Sequence, residues 1–291
     1  MSALDLALNL AERLNLDKRR DRWAGDCPAC GYARAFAMKL PRQGDRPWLW
    51  CANGCNREQL ADAAGKSLGT DWTPPPLPDP VGDAASREDR QRRALALFAG
   101  AARIASADPA GLYLNRRGLA HLMGCPALRY RGDCHHPQSG RCSAMVAEVK
   151  DASGNPVAVH RTYLARDGQK AAVDPVKASL GPVWGGAIRL HSIVGELVIG
   201  EGIETAASAG LLLGLPAWAA LSAGNLAQGL VLPPEVRAVV IAVDPDTAGR
   251  SAAADAAARW GAEGRRVRLA IPDRAGKDFN DLLTKTRARG L

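Results

Sequence analysis

Two stretches, Leu197-Val-Ile-Gly-Glu201-Gly-Ile-Glu204 and Ala238-Val-Val-Ile-Ala-Val-Asp244-Pro-Asp246-Thr-Ala-Gly249, share one plan. Each is an apolar run of strand length that ends in carboxylates and passes into small residues suited to a helix. A run without polar alternation is what a strand buried on both faces requires. Strand, acidic loop, helix, repeated, is the signature of a parallel α/β sheet. Sites in such sheets form beyond the carboxyl ends of the strands, where Glu201, Asp244 and Asp246 would stand. Gly276-Lys-Asp278-Phe-Asn-Asp281 adds a third acidic group ahead of a last helix. Clustered carboxylate oxygens are hard ligands that suit Mg2+ or Mn2+. Any one of these acids taken alone is more often a helix cap or a solvated loop residue; the three placements together favour a site.

Upstream, Met145–Val149 and Val157–Leu164 flank the turn Asp151-Ala-Ser-Gly-Asn-Pro156 and read as a β-hairpin. Before it, a helical pattern runs from about Arg90 to Ala107, and a shorter one through Leu112 and Leu114 ends near Gly118. Residues 71–89 open with Asp71-Trp-Thr-Pro-Pro-Pro-Leu-Pro-Asp-Pro80 and are expected to hold no regular element, because each proline removes an amide donor and restricts its predecessor. The expected layout is a metal-binding ribbon over 1–70, a Pro-rich linker over 71–89, helices plus a hairpin over 90–190, and the parallel α/β sheet over 191–291. Leucines at 4, 6, 8, 10 and 14 suggest a short helix ahead of the ribbon.

Four of the seven cysteines form Cys27-Pro-Ala-Cys30 and Cys51-Ala-Asn-Gly-Cys55. Two such pairs can close a tetrahedral Zn2+ site, and four thiolates leave no open position, so the zinc is structural. Ala35–Leu40 and Pro47–Trp50 can pair as the ribbon's strands. Arg34, Lys39, Arg42 and Arg46 surround Phe36, Trp48 and Trp50, a surface able to hold phosphates while stacking the bases of a single strand. Each tryptophan is equally well read as ribbon core. Cys134-His-His136 with Cys142 reads as an irregular loop rather than a second metal site.

Lys plus Arg outnumber Asp plus Glu by 38 to 30, a net charge of +8 that suits a polyanionic partner without demanding one. No run approaches the length of a membrane span and residues 1–25 carry charges throughout, so the expectation is a cytoplasmic protein with no membrane partner. Nothing resembles a P-loop ending in Lys-Ser/Thr, and His121, His160 and His191 are isolated from any nucleophile pair, which argues against an ATP-driven helicase and a Ser or Cys hydrolase.

Glu201-Gly-Ile-Glu204, Asp244-Pro-Asp246-Thr-Ala-Gly249 and Lys277-Asp278-Phe-Asn-Asp281 resemble the Toprim pattern shared by DnaG-type primases, topoisomerases and some nucleases. Gly154-Asn-Pro-Val-Ala-Val-His-Arg161 and Lys177-Ala-Ser-Leu-Gly-Pro182 are similar to segments that precede Toprim in phage and mobile-element primases. The resemblance covers residues 22–60 and about 110–285. It implies a small zinc ribbon and then a primase-type core with a mixed or parallel Toprim α/β sheet. In that reading Glu201, Asp244, Asp246 and Asp278 hold one or two Mg2+ or Mn2+ ions, and Arg161 and Lys177, with Arg189 beside them, hold template or nucleotide phosphates. The implied activity is primer synthesis from NTPs on single-stranded DNA, in concert with a separate replicative helicase or polymerase. The Ala- and Arg-rich composition suggests a high-GC genome, and the lack of a helicase motif suggests a phage, plasmid or integrated element that borrows other factors. Pro245 and Asn280 depart from the usual pattern, which leaves the third ligand open between Asp278 and Asp281. Glu201 is open between ligand and general base. A Toprim nuclease and a non-catalytic single-strand-binding or recombination-mediator module are the rival readings. In mediators the zinc lies directly before Toprim, whereas about 140 residues intervene here. None of the four tyrosines stands in a context that suggests a topoisomerase.

Overall fold

The computed structural model describes residues 2–19, 22–29, 36–40, 46–51, 55, 57–69, 80–192, 195–272 and 278–288, the side chains of 80–86 and 287–288 apart. The chain divides into two units, Met1–Gly82 and Asp83–Leu291. In the first, helix α1 (Ala3–Arg13) begins at a capping box in which the Ser2 hydroxyl accepts from the Asp5 amide and the Asp5 carboxylate accepts from the Ser2 amide. Strands β1 (Asp17–Lys18), β2 (Trp23–Gly25), β3 (Phe36–Lys39) and β4 (Trp48–Cys51) form an antiparallel sheet in that order, and helix α2 (Arg57–Leu68) follows. The expected ribbon strands therefore pair, Phe36 opposite Cys51 and Lys39 opposite Trp48. Leu10, Trp23, Phe36, Met38 and Leu60 form the buried core, so the ribbon does not use Trp50 for that purpose.

Helix α3 (Pro80–Ala99) starts three residues before the second unit and continues into it. Residues 80–89, expected to be linker, are thus helical. A proline in the first helical turn costs nothing, since the amide it lacks would have no partner within the helix. The same helix ends eight residues before the expected Ala107, and residues 71–79 lie outside the described residues. Helix α4 (Pro109–Arg116) is capped by Asp108, which accepts from the Gly111 amide at 2.8 Å, and the chain turns at Gly118 with φ +70°.

Strands β5 (Leu128–His136), β6 (Gly140–Lys150), β7 (Pro156–Leu164) and β8 (Lys177–Leu180) form an antiparallel sheet in sequence order, with β6 and β7 the expected hairpin. Cys134 and Cys142 face each other across β5 and β6, so their segment is paired strand rather than irregular loop. Pro137 and Gly140 flank the tight turn between them. Alternation gives this sheet two faces. His160 lies opposite Ser179 and Thr162 opposite Lys177 on one; Arg161 lies opposite Ala178 on the other, with Val159, Tyr163 and Leu180, against Ala94 and Leu97 of α3.

The last elements are β9 (Ile188–Arg189), β10 (Glu196–Gly200), α5 (Ile203–Leu213), β11 (Ala217–Ala219), a π-helical turn at Asn225–Gly229, β12 (Ala238–Ala242), α6 (Thr247–Ala262), β13 (Arg266–Ala270) and α7 (Phe279–Ala288). The sheet order is β13-β12-β10-β11-β9, all parallel except β9. Strand β9 precedes residue 191, so the expected boundary there falls inside a sheet. The two apolar runs are its central strands, buried on both faces as their composition requires. Val198, Val240 and Ala242 pack toward α5 and α7; Leu197, Ile199, Val239 and Ile241 pack toward Trp218 and, from α6, Trp260. No helix among the described residues is long and apolar enough to cross a membrane.

Candidate active site and cysteine cluster

Three chain segments deliver the acids to one cavity of about 410 Å3 at the carboxyl edge of the parallel sheet. Glu201 follows β10, and its carbonyl accepts from the Leu221 amide at 2.8 Å. Asp244 follows β12 and accepts from the Thr205 hydroxyl of α5 at 2.9 Å. Asp246 caps α6 by accepting from the Gly249 amide at 2.7 Å, and Asp278 accepts from the Asp281 amide at 2.7 Å where α7 begins. Gly249 must be glycine, because a Cβ there would stand 2.8 Å from the Asp244 Cβ and carbonyl oxygen. Asp281 lines the cavity as well, so the structure brings both candidates for the third acid to the site.

The carboxylates crowd one another. Burial, with the charges of Asp244 and Asp246, pushes Glu201 up from 4.5 to about 7. Asp244 is also raised, by burial and by Asp246 and Asp278, against the opposing hydrogen bond from Thr205. An all-oxygen donor set under mutual repulsion fits a hard divalent cation.

The opposing lining is cationic. Lys177, Lys170 and Arg117 reach the cavity from β8, from the segment after β7 and from the end of α4, and His160 joins them from β7. Arg117 lies over the Tyr113 ring and donates to Asn280 Oδ1 at 3.1 Å. Lys177 Nζ pairs with Glu204 Oε2 at 3.1 Å, and the Tyr113 hydroxyl donates to the other oxygen of Glu204. Burial pushes the Glu204 carboxyl up, but Lys177 and Tyr113 outweigh it and hold the group at about 2. Burial and the neighbouring Lys177 drive Lys170 down, and drive His160 down to about 4.

Two expected phosphate ligands do not reach this cavity. Arg161 is buried on the other face of β7, and its guanidinium donates to the carbonyls of His135, Ser179 and Ala178 at 3.0, 3.1 and 3.3 Å. Arg189 donates to the carbonyls of Asp151 and Ala152 and stacks 4.3 Å from the Trp218 ring centroid. Both are structural braces. Arg117, Lys170 and Glu204 take the places the sequence reading left empty. The adjacent Arg116-Arg117-Gly118 at a helix end was visible, but no motif marked which arginine turns inward.

In the first unit the thiols of Cys27, Cys51 and Cys55 lie within 4.8 Å of one another, with Cys27 and Cys55 sulfurs 3.8 Å apart. Zinc–sulfur bonds of about 2.3 Å in a tetrahedron give sulfur–sulfur edges of about 3.8 Å, so this spacing fits zinc. Cys30 and Arg34 lie outside the described residues. Trp48 is half-buried, while Trp50 is exposed under the Arg22 guanidinium, 5.8 Å from its ring centroid.

Fold and site together define an α/β domain with an acidic centre at its carboxyl edge, preceded by a cysteine cluster. Residues 196–288 match the family model described as Toprim domain, and this part of the chain is a Toprim domain, as its three motifs indicate. Residues 88–190 match one described as Domain of unknown function (DUF7146). No curated protein matches. Among solved structures, the primase fragment of the bacteriophage T7 primase-helicase protein is 15% identical, with a TM-score of 0.43 over 92% of this chain and 97% of that one. A DnaG catalytic core is 17% identical, with a TM-score of 0.46 over 69% and 78%. The RNA polymerase domain of Mycobacterium tuberculosis primase DnaG, in complex with double-stranded DNA, is 16% identical, with a TM-score of 0.44 over 70% and 80%.

Proposed function

We propose that this protein is a DNA primase that joins NTPs into short primers on a single-stranded DNA template. The observation that carries the reading is the pairing, within one cavity, of Glu201, Asp244, Asp246 and Asp278 with Lys177, Lys170 and Arg117. Nucleotidyl transfer needs both halves: oxygen ligands for divalent metal, and cations for a triphosphate. The four carboxylates would hold Mg2+ or Mn2+, which supplies charge neutralisation where the 3′ hydroxyl, the α-phosphate and the departing pyrophosphate meet. Lys170, Lys177 and Arg117 would bind the triphosphate oxygens, Arg117 as a planar fork and the lysines as point charges. The 3′ oxygen forms a bond to the α-phosphorus as the bond to pyrophosphate breaks, and the hydroxyl proton passes to solvent water. Glu204, fixed by Tyr113, holds Lys177 at the cavity and is itself kept ionised. The cysteine cluster supports the same reading, because a zinc-bearing ribbon with Trp50 and Arg22 on its surface suits contact with a single strand.

The test is incubation of purified protein with labelled NTPs, Mg2+ or Mn2+ and mixed-sequence single-stranded DNA, beside Asp244→Asn. Template-dependent oligonucleotides that vanish in the variant are expected. Cleaved template without products would replace the reading with a nuclease, and strand binding with neither activity would reduce the protein to a binding module.

A further inference from the structure

We propose that Trp184 is a stacking platform that holds one base of a single strand beside the acidic cavity; this rests on the nucleic-acid reading of that cavity. Trp218 and Trp260 of the same unit are buried, whereas Trp184 is 57% exposed. Single exposed apolar residues are common on protein surfaces. What distinguishes this one is how it is held. A Cβ built on Gly229 would meet Trp184 Cδ2 and Cε2, the two carbons shared by the indole rings, both at 2.8 Å. Equal approach to both bridging carbons puts the glycine backbone under the middle of the ring. One face of the indole is therefore covered by Gly229, which has no side chain to push it away, and the other is open to solvent.

The support beneath the ring is rigid and leads to the site. Asn225, 2% exposed, accepts from the Gly185 amide at 2.9 Å and donates to the carbonyls of Gly186 at 2.9 Å and Ala220 at 2.7 Å. The Ala220 amide in turn donates at 2.9 Å to Gly200, the residue before Glu201. Strand β9 runs antiparallel to β11, so Trp184, four residues before it, lies toward the carboxyl ends of the parallel strands, and β9 itself stands two strand spacings, about 10 Å, from β10, the strand that leads to Glu201. An aromatic face offered in this way matches a nucleobase of any identity, since every base has a π-face, while the net charge of +8 draws the strand in.

Fluorescence-anisotropy titrations of the full chain with a labelled short oligodeoxythymidylate test this, using wild type, Trp184→Ala and Trp184→Phe, with an abasic strand of the same length and ATP in parallel. Expected are a loss of roughly 5- to 100-fold in oligodeoxythymidylate affinity for Trp184→Ala, near-wild-type binding for Trp184→Phe, and unchanged Tm in both. The abasic strand and ATP should bind wild type and Trp184→Ala alike. Equal oligodeoxythymidylate affinity in wild type and Trp184→Ala overturns the platform, as does an equal loss on the abasic strand. A loss confined to ATP overturns the assignment to a single strand. Primer synthesis is scored separately. Wild type that binds through Trp184 yet makes no primers overturns the synthetic reading and leaves the platform, and normal priming with Trp184-independent binding does the reverse.

Discussion

Glu201→Gln is expected to stabilise the protein at pH 8 in the absence of added Mg2+ and Mn2+, although it removes a group central to the proposed chemistry. In the fold this carboxyl rises from 4.5 to about 7, because burial and the charges of Asp244 and Asp246 disfavour its ionised form. A carboxyl that holds its proton more tightly folded than unfolded costs stability as pH climbs from about 4.5 to about 7, and the full cost persists above that. At about 1.4 kcal/mol per pH unit the difference is worth about 3 kcal/mol. Partial exposure of the group and the loss of its hydrogen bond to the Ala223 backbone reduce the expected net gain to about 1–2 kcal/mol. For a unit of this size that is a rise in Tm of roughly 2–8 °C. Thermal melts with zinc retained, at pH 5 and pH 8, with and without Mg2+, make the measurement. The gain should shrink at pH 5, where the folded wild-type carboxyl already carries its proton. Added Mg2+ should raise the wild-type Tm and narrow the gap. A variant no more stable than wild type at pH 8, or a gain equal at both pH values, would refute the electrostatic argument.

Three further outcomes are expected. Lys170→Ala should raise the KM for NTPs with little change in Tm, whereas Arg161→Ala should lower Tm, by about 1–3 kcal/mol of stability for the three carbonyls it strands, and leave KM unchanged; steady-state kinetics beside thermal melts separate the two. Gly249→Ala drives a methyl group into Asp244 and should cost about 1–3 kcal/mol together with most of the primer synthesis, read by denaturant titration and the priming assay. Atomic emission should find about one zinc per chain, lost in Cys27→Ser together with the cooperative melting of residues 1–70 seen by near-ultraviolet dichroism.

The central strands were legible because burial on both faces forces an apolar run, and β10 and β12 are such runs. The acids were legible because each follows a strand or opens a helix, where an open α/β sheet builds its site. Cations were harder to read. Arg161 carries the right charge, but strand alternation gives its neighbour His160 the cavity face and turns the arginine toward α3. Parity alone does not say which face of a hairpin meets a sheet that lies later in the chain. Arg117 and Lys170 come from a helix end and a turn, joined to the acids only by tertiary packing, so no spacing announces them. The proline run misled at its end for a local reason, since Pro80 suits the first turn of a helix as well as it suits a linker.

Asp246 and Asp278 each use one carboxylate oxygen to accept an amide at the start of a helix while lining the cavity. A side chain already committed to a cap is frozen in one rotamer, so presenting its second oxygen to a ligand loses little further entropy. The folding of α6 and α7 thus prepares the acidic centre in advance. The same sharing ties their fates together: either aspartate, exchanged for a residue of different reach, loosens a helix start and a ligand at one stroke, and selection for a stable fold and for a working site acts on the same two side chains.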